Sequence, residues 1–192
     1  MKARLALLAT MCVAIVLNAC RDITNLQATV PTSVDHLSVW ALSGTPADFP
    51  SGVSMIARQS VRVDAFASFD VAFDIDTIGR VVIYPVKLVV SIPGGTRVVG
   101  MQRVNSSFAT VFSAPTTGFE ADSGLVMSPG QVVIVESPHN GSGDLCQFAI
   151  SPNLYAKFSV DSVDRVSRMV FVRMGFDPNC GFRSFIAGIP TS

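Results

Sequence analysis

The most regular pattern in the chain is an alternation of apolar and polar positions between residues 61 and 75. Every odd position in this stretch is apolar, whereas the even positions include Arg62 and three aspartates. A period of two places successive side chains on opposite faces, so the stretch predicts half-buried β-strand. Fifteen residues would extend about 50 Å, more than most strands in globular domains. We therefore expect a bend or bulge at 65–67.

Further short apolar runs, separated by turn residues, predict additional strands along the chain. Pro85 cannot donate a ladder hydrogen bond, so the strand that contains it should lie at an edge or break there. Residues 45–60 show no clear period and are expected to be mostly loop. The other predicted strands are 37–42, 80–90, 96–104, 125–127, 131–137, 145–150, 154–161, 167–175 and 182–187.

One segment departs from strand patterning. Val104, Phe108, Val111 and Phe112 follow a helical spacing, and Asn105 is placed to cap, so we allow at most one short helix near 105–113.

Many short strands with turn signals between them predict an all-β fold, an antiparallel β-sandwich formed by a single domain over residues 36–192. Trp40, the only tryptophan, lies inside an apolar run and is expected to anchor the core. An Ig-like architecture is compatible with this pattern. The tryptophan between paired cysteines that marks true immunoglobulin domains is absent, because Trp40 precedes both Cys146 and Cys180.

The first twenty residues carry a different pattern. Lys2 and Arg4 precede an apolar run from Leu5 to Leu17, the arrangement of an export signal. The run is shorter than the ~20 residues that a transmembrane helix needs. Residues 1–19 are therefore predicted to be a cleaved signal peptide.

The end of this segment, Leu17-Asn18-Ala19-Cys20, resembles the lipobox of bacterial lipoproteins. The resemblance implies cleavage before Cys20 and attachment of a diacylglycerol to its thiol. Arg21 is not the Asp that favours inner-membrane retention in many Gram-negative lipoproteins, so an outer-membrane location is implied, on either the periplasmic or the surface face. An ordinary secretory signal cleaved nearby is the alternative.

Residues 20–35 are expected to combine the acylated cysteine with a tether, because they are mostly small or polar and contain Pro31. As a flexible chain, such a tether would reach about 20 Å. The remaining body resembles predicted lipoproteins of environmental bacteria, a resemblance that implies no activity and no site.

Cysteine content adds a constraint on the mature domain. Cys12 would leave with the signal and Cys20 would carry lipid, so Cys146 and Cys180 remain. Two cysteines in an exported chain most simply form one disulfide. Two of the 14 basic residues lie in the signal, which leaves 12 against 14 acidic residues. This balance argues against nucleic-acid binding.

Catalytic motifs are sparse. The serine-hydrolase elbow, the Walker phosphate loop, the zinc-protease motif and the Rossmann glycine pattern are all absent from the sequence. A hydrolase site would have to form around His36 or His139, the only histidines, and Ser137, Ser142 and Asp144 lie near the latter. No catalytic residue and no cofactor is predicted.

Three aspartates, Asp70, Asp74 and Asp76, are weak candidates for a calcium site. The segment 74–79 imitates the first half of a calcium loop, but Ile78 occupies the third acidic position and no glutamate follows at the expected distance. A solvated strand face explains the same residues, so no metal site is predicted.

These observations predict a membrane-anchored exported lipoprotein that is not an enzyme and acts as a binding, adhesion or envelope-structural module. Its expected partners are membrane lipid, through Cys20, and a protein or glycan of the envelope. The alternatives are an exported hydrolase with a site at His139 or His36, and an accessory subunit of an envelope complex, which should expose an apolar patch.

Overall fold

The computed structural model describes residues 28–63, 68–91 and 97–191, and the strands within these ranges form two antiparallel sheets of five strands each. The predicted all-β sandwich is therefore confirmed. The signal segment, Cys20 and the expected bend at 65–67 lie outside the described residues. No helix among the described residues is long and apolar enough to cross a bilayer.

The two sheets differ in strand length. The first contains two long strands of 12 and 9 residues, and the second is built from strands of three to five residues. In spatial order the first sheet is β1 (Ser33–Trp40), β10 (Met169–Asp177), β9 (Asn153–Asp164), β8 (Val132–Pro138) and β6 (Gly100–Val104). The second is β3 (Gln59–Arg62), β2 (Pro50–Ser54), β4 (Val71–Ile75), β5 (Val81–Pro85) and β7 (Leu125–Met127).

The main core lies between the sheets, where alternate residues of each strand face inward. Phe73 of β4 meets Phe158 of β9 with ring centroids 6.1 Å apart. Val133 and Val135 of β8 are also fully buried in this cluster. The alternation seen in the sequence thus places its apolar face in the core.

A second, smaller core covers the outer face of the first sheet. Val111, Ala114 and Phe185 are buried there against outward-facing residues of β8 and β9, namely Val132, Ile134 and Tyr155. Residues 105–113 form turns rather than the short helix that was allowed there. Their apolar spacing instead serves this outer cluster.

Residues 45–60 contain strands that the sequence analysis missed. β2 lies inside the second sheet between β3 and β4, and residues 51–54 are all buried. The prediction that 45–60 is mostly loop was wrong for β2 and the start of β3; the Pro, Ser and Gly residues of β2 give neither alternation nor an apolar run. Conversely, 145–150 and 182–187 are turns and isolated bridges rather than strands.

The predictions for Pro85 and Trp40 have different outcomes. β5 ends at Pro85 and a 3₁₀ turn, Val86–Leu88, follows it, so the strand breaks at the proline as predicted. Trp40 is only partly buried and packs against Phe49 with ring centroids 5.0 Å apart. The core-anchor expectation for Trp40 is therefore wrong, because its strand position faces away from the inter-sheet core.

The strand directions define two ends of the sandwich. At the first, which we call the disulfide end, β1 begins, β8 and β10 end, and the loop 139–152 leads into β9. At the second, the turn end, lie the turns 76–80, 128–131 and 165–168. The backbone N–H groups of Thr29 and Val30 donate to Asn179 Oδ1 at 2.9 and 3.1 Å. The folded structure therefore begins upstream of the predicted boundary at His36, and at the disulfide end.

Candidate functional site

Four polar side chains meet between the sheets near the disulfide end, and we call them the polar cluster: Asp70, Arg97, Ser137 and His139. Asp70 immediately precedes β4 of the second sheet, whereas Ser137 belongs to β8 of the first. His139 follows β8 and is fixed by its backbone, whose N–H donates to Pro152 O at 2.9 Å. The cluster thus links one sheet to the other.

Asp70 is the acceptor at the centre of this cluster. Its Oδ1 accepts the hydroxyl of Ser137 at 2.6 Å and lies 3.1 Å from His139 Nε2. Its Oδ2 accepts the backbone N–H of Met55 at 2.8 Å. Both carboxylate oxygens therefore have partners, although the side chain is only 1% exposed.

Arg97 fixes the tautomer of His139. Its Nη1 lies 3.0 Å from His139 Nδ1, and a guanidinium can only donate. Nδ1 must then accept, so the proton of the neutral imidazole lies on Nε2 and is donated to Asp70. Arg97 Nη2 also donates to Phe69 O at 3.2 Å and lies 3.4 Å from Asp70 Oδ1.

The electrostatics of the cluster favour an ionised Asp70. Burial alone raises the pKa of a carboxyl group, but the hydrogen bond from His139, the charge of Arg97 and the hydrogen bond from Ser137 outweigh it. The pKa of Asp70 consequently lies below its ordinary value of 3.8. The cluster is a compensated buried ion pair with neutral donors around it.

This arrangement differs from a Ser-His-Asp catalytic triad. In a triad, the histidine offers an unprotonated nitrogen to the serine and its other nitrogen to the carboxylate. Here Nε2 carries the proton and faces both Asp70 and Ser137, while the free lone pair faces Arg97. Ser137 also donates its own proton to Asp70. These hydrogen bonds join the two sheets. They leave no unprotonated nitrogen of His139 facing Ser137 to take up its proton.

The three calcium candidates do not share a site. Asp70 is inside the polar cluster, Asp74 accepts the hydroxyl of Ser43 at 2.7 Å, and Asp76 pairs with Arg80 at 2.7 Å. Asp76 also accepts backbone N–H groups of its own turn, which lower its pKa together with Arg80. Within 28–63, 68–91 and 97–191, no group of three or more His, Cys, Asp or Glu side chains could hold a metal.

The predicted disulfide is confirmed. Cys146 and Cys180 are bonded, with their Cα atoms 5.7 Å apart. The bond joins the loop that carries His139 to the turn after β10. The Cys146 N–H also donates to His139 O at 2.9 Å, so the disulfide and the polar cluster support one another.

A second buried carboxylate, Asp177, lies at the end of β10, just before that turn. Asp177 Oδ1 accepts the backbone N–H and the side-chain amide of Asn179 at 2.9 and 2.7 Å. Its Oδ2 is buried and has no hydrogen-bond partner among the described residues. Burial raises the pKa of Asp177, and the two hydrogen bonds from Asn179 only partly oppose that effect.

His36 lies far from this chemistry. It is exposed on the outer face of β1, and its Nδ1 lies 3.4 Å from Asp161 Oδ2. Ser142 and Asp144, which are close to His139 in sequence, do not join the polar cluster; Asp144 instead accepts the Gly141 N–H at 3.0 Å. Of the residues named around the histidines, only Ser137 meets His139.

The turn end has an open cleft. Its volume is about 730 Å³, and its rim includes Arg80, Asp164 and Arg165 with Met127 and Pro129. None of the predicted site residues lines it. The residues that line the cleft therefore include both apolar and charged side chains.

Sequence reasoning missed Lys157, a buried cation on the outer face. Its ammonium donates to Phe108 O at 2.7 Å and to Val111 O at 2.8 Å, and it lies 4.3 Å from the centre of the Phe108 ring. Burial, together with the charge of Arg173, lowers the pKa of Lys157. A lysine between buried apolar residues of β9 was the available signal, and its contacts show that it holds the 105–113 segment against the sheet.

No protein-family model matches this chain, and no curated protein matches it either.

Proposed function

We propose that this chain is an exported lipoprotein, anchored to the outer membrane through acylated Cys20, whose β-sandwich is a non-catalytic binding, adhesion or envelope-structural module. The observation that carries the proposal is the Cys146–Cys180 disulfide downstream of a signal-like segment. Disulfides of this kind persist in oxidising compartments outside the cytoplasm. The partner is expected to be an envelope protein or glycan.

The position of Thr29 and Val30 supports a defined orientation of the domain relative to the membrane. Thr29 and Val30 are held by Asn179 at the disulfide end, so an anchor at Cys20 would attach there. The cleft at the turn end then faces away from the membrane. We assign partner binding to that cleft, since its rim offers Arg165 and Asp164 beside apolar side chains.

The contact between Ser137, His139 and Asp70 is what supports the hydrolase alternative. However, these side chains are buried and their hydrogen bonds differ from those of a triad, which favours a structural role. His36, the other candidate, pairs with exposed Asp161. The accessory-subunit alternative draws on exposed apolar residues at the disulfide end, such as Phe148 and Ile186.

The anchor is tested by replacing the cysteine that would carry lipid. In a bacterial host given a labelled fatty acid, Cys20→Ala should abolish both lipid labelling and recovery in the membrane fraction. Cys12→Ala is the matched control, because Cys12 lies in the predicted signal and should not affect lipid attachment. Lipid labelling that persists in Cys20→Ala would contradict the proposed anchor.

The binding role is tested by cross-linking the anchored protein in intact envelopes. Arg165→Glu, which reverses a charge at the cleft, should weaken recovery of the cross-linked partner. Arg58→Glu makes the same charge change at an exposed arginine that pairs with Asp35 near the disulfide end, and it should leave recovery unchanged. Equal loss in both variants would show a general charge effect and would count against the cleft.

A further inference from the structure

We propose that the disulfide end is a lipid-contacting surface, in which the loop 145–150, here called the apolar loop, enters the interfacial region of the membrane that holds the anchor. This inference rests on the proposed function for the anchor and adds a second, non-covalent contact between the folded domain and the bilayer. Its partner is a lipid surface rather than a protein.

The apolar loop exposes large hydrophobic side chains. Leu145, Phe148 and Ile150 all face solvent, and Phe148 is 93% exposed. The loop contains no charged residue. Single exposed apolar residues are ordinary on soluble proteins, but three in one six-residue loop mark a contact surface.

The exposure of these side chains is fixed by the fold. Cys146 is buried and disulfide-bonded, and Ala149 packs against the main core. The Ala149 N–H donates to Cys146 O at 3.0 Å, which closes a turn between them. With these two residues directed inward, Phe148 and Ile150 are held outward, so their burial against a partner requires no rearrangement of the loop.

Other exposed apolar residues gather at the same end. Thr32 N–H donates to Gly188 O at 2.9 Å, which places the 186–190 segment beside the start of β1. Neither 28–34 nor 184–191 contains a charged residue. The exposed apolar side chains near this end, besides those of the apolar loop, are Val30, Val34, Leu88, Val98, Ile186 and Ile189.

The turn end has a different character. Its exposed Ile78 and Val166 stand singly: Asp76 and Arg80 lie two positions to either side of Ile78, and Arg165 precedes Val166. Asp76 pairs with Arg80 beside Ile78, and Asp164 accepts the Val166 N–H. Desolvating these charges would oppose entry into lipid. The exposed apolar residues are therefore concentrated at one end of the sandwich.

The length of chain upstream of the structure indicates the occupant of this surface. Only eight residue steps separate Cys20 from Ala28, and a fully extended chain spans about 3.5 Å per residue, or about 28 Å in all. An acylated Cys20 would therefore hold the disulfide end close to the headgroups. A surface rich in exposed apolar side chains at that distance suits an interface into which apolar groups sink about 5–10 Å.

The test uses the full lipidated chain in vesicles of phosphatidylethanolamine and phosphatidylglycerol. An environment-sensitive fluorophore is attached at Phe148→Cys, and in a matched control at Val166→Cys, which is 97% exposed at the turn end. We expect the label at 148 to shift its emission to the blue and to be quenched by lipids that carry spin labels near the headgroup. The label at 166 should show neither change.

A second probe guards against disturbance of the disulfide by a new thiol near Cys146. Ile189→Cys lies outside the apolar loop on the same end, and its label should behave as the label at 148 does. If both probes remain in water while the protein sediments with the vesicles, the lipid-contact inference is overturned although the anchor stands. If Cys20 incorporates no labelled fatty acid, the proposed anchor itself is contradicted, and this result is distinct from a failure of lipid contact by an anchored chain.

Shielding of the probes in native envelopes but not in pure lipid vesicles would assign the surface to a protein partner, and this outcome also overturns the inference. A parallel variant replaces Leu145, Phe148 and Ile150 with serine in the chain labelled at Ile189→Cys. It should lose most of the blue shift while keeping its lipid and its sedimentation with vesicles.

Discussion

Two buried aspartates at the same end of the sandwich have opposite environments. Asp70 accepts hydrogen bonds at both carboxylate oxygens and lies beside Arg97. Asp177 has two donors, both from Asn179, on one oxygen, while its other oxygen is buried without a partner among the described residues. The pKa of Asp70 is lowered and that of Asp177 is raised. Burial therefore does not fix the direction of a carboxyl pKa; the number and charge of the donors does.

The comparison also assigns the two residues different contributions to stability. The ionised form of Asp70 binds three donors and an arginine, so it stabilises the contact between the sheets. The ionised form of Asp177 is only half compensated, so its charge opposes folding at neutral pH. What Asp177 provides is local: it holds Asn179, which in turn accepts from Thr29 and Val30.

The largest expected effect is the loss of the Asp70 carboxylate. Asp70→Asn would place an amide NH₂ group against one set of existing donors, such as the Met55 N–H, and would leave the charge of Arg97 without its carboxylate partner. Removing one partner of a buried ion pair typically costs about 3 to 5 kcal/mol, and we expect a loss of free energy of unfolding near that range in urea titrations at pH 7. Asp122→Asn, at an exposed carboxylate, is the control and should be close to neutral. A small effect of Asp70→Asn would mean that the cluster does not link the sheets.

The disulfide joins the two aspartate neighbourhoods, and its removal should have the next largest effect. The sequence separation of Cys146 and Cys180 is 34 residues, for which the chain-entropy relation gives about 3 to 4 kcal/mol. The double variant Cys146→Ser with Cys180→Ser should lose roughly this much in urea titrations. Wild-type protein measured with reductant serves as the comparison and should approach the variant. Equal stability with and without the bond would show that the polar cluster alone fixes this end.

A smaller effect is expected at Asp177. Asp177→Asn keeps an acceptor for Asn179 and removes an uncompensated charge, so the free energy of unfolding at pH 7 should stay within about 1 kcal/mol of wild type, or rise. The measurement is the same urea titration, compared directly with Asp70→Asn. A loss as large as that of Asp70→Asn would erase the distinction between the two sites.

The pH dependence should separate the same two residues. Because the folded pKa of Asp70 is below 3.8, its contribution is complete above about pH 4 and is lost as the pH falls through the folded value. Because the folded pKa of Asp177 is raised, its ionisation costs stability as the pH rises from about 4 through the folded value. Stability measured from pH 3 to 7 should show a smaller acid decline in Asp70→Asn, and a smaller decrease above pH 4 in Asp177→Asn, than in wild type. Profiles with the same slopes as wild type would contradict these assignments.

The sequence pattern could predict most strands because they are rich in apolar and β-branched residues. The alternation from 61 to 75 indicated strand structure, and so did the β-branched run in β8, although β8 is buried on both faces. β2 was missed because its sequence, Pro-Ser-Gly-Val-Ser, shows neither alternation nor an apolar run. The spacing in 105–113 suggested a helix because apolar residues that cover a sheet from turns can share a helical period by chance.

Only two of the four residues of the polar cluster could be grouped from the sequence. Ser137 and His139 are two residues apart and were considered together, but Asp70 and Arg97 lie 69 and 42 residues from His139. Their convergence depends on how the two sheets pack, which spacing along the chain does not encode. Asp70 was read as part of an acidic strand face, although it lies just before β4 and points into the interior.

The Cys146–Cys180 bond encloses β9 and β10 completely. A protease that cleaves the exposed 165–168 turn would therefore produce two pieces that stay covalently joined and paired along the long hairpin. The cut would be invisible on a denaturing gel without reductant and would appear as two bands once the sample is reduced. An anchored protein with this topology can be cleaved at the 165–168 turn without being released.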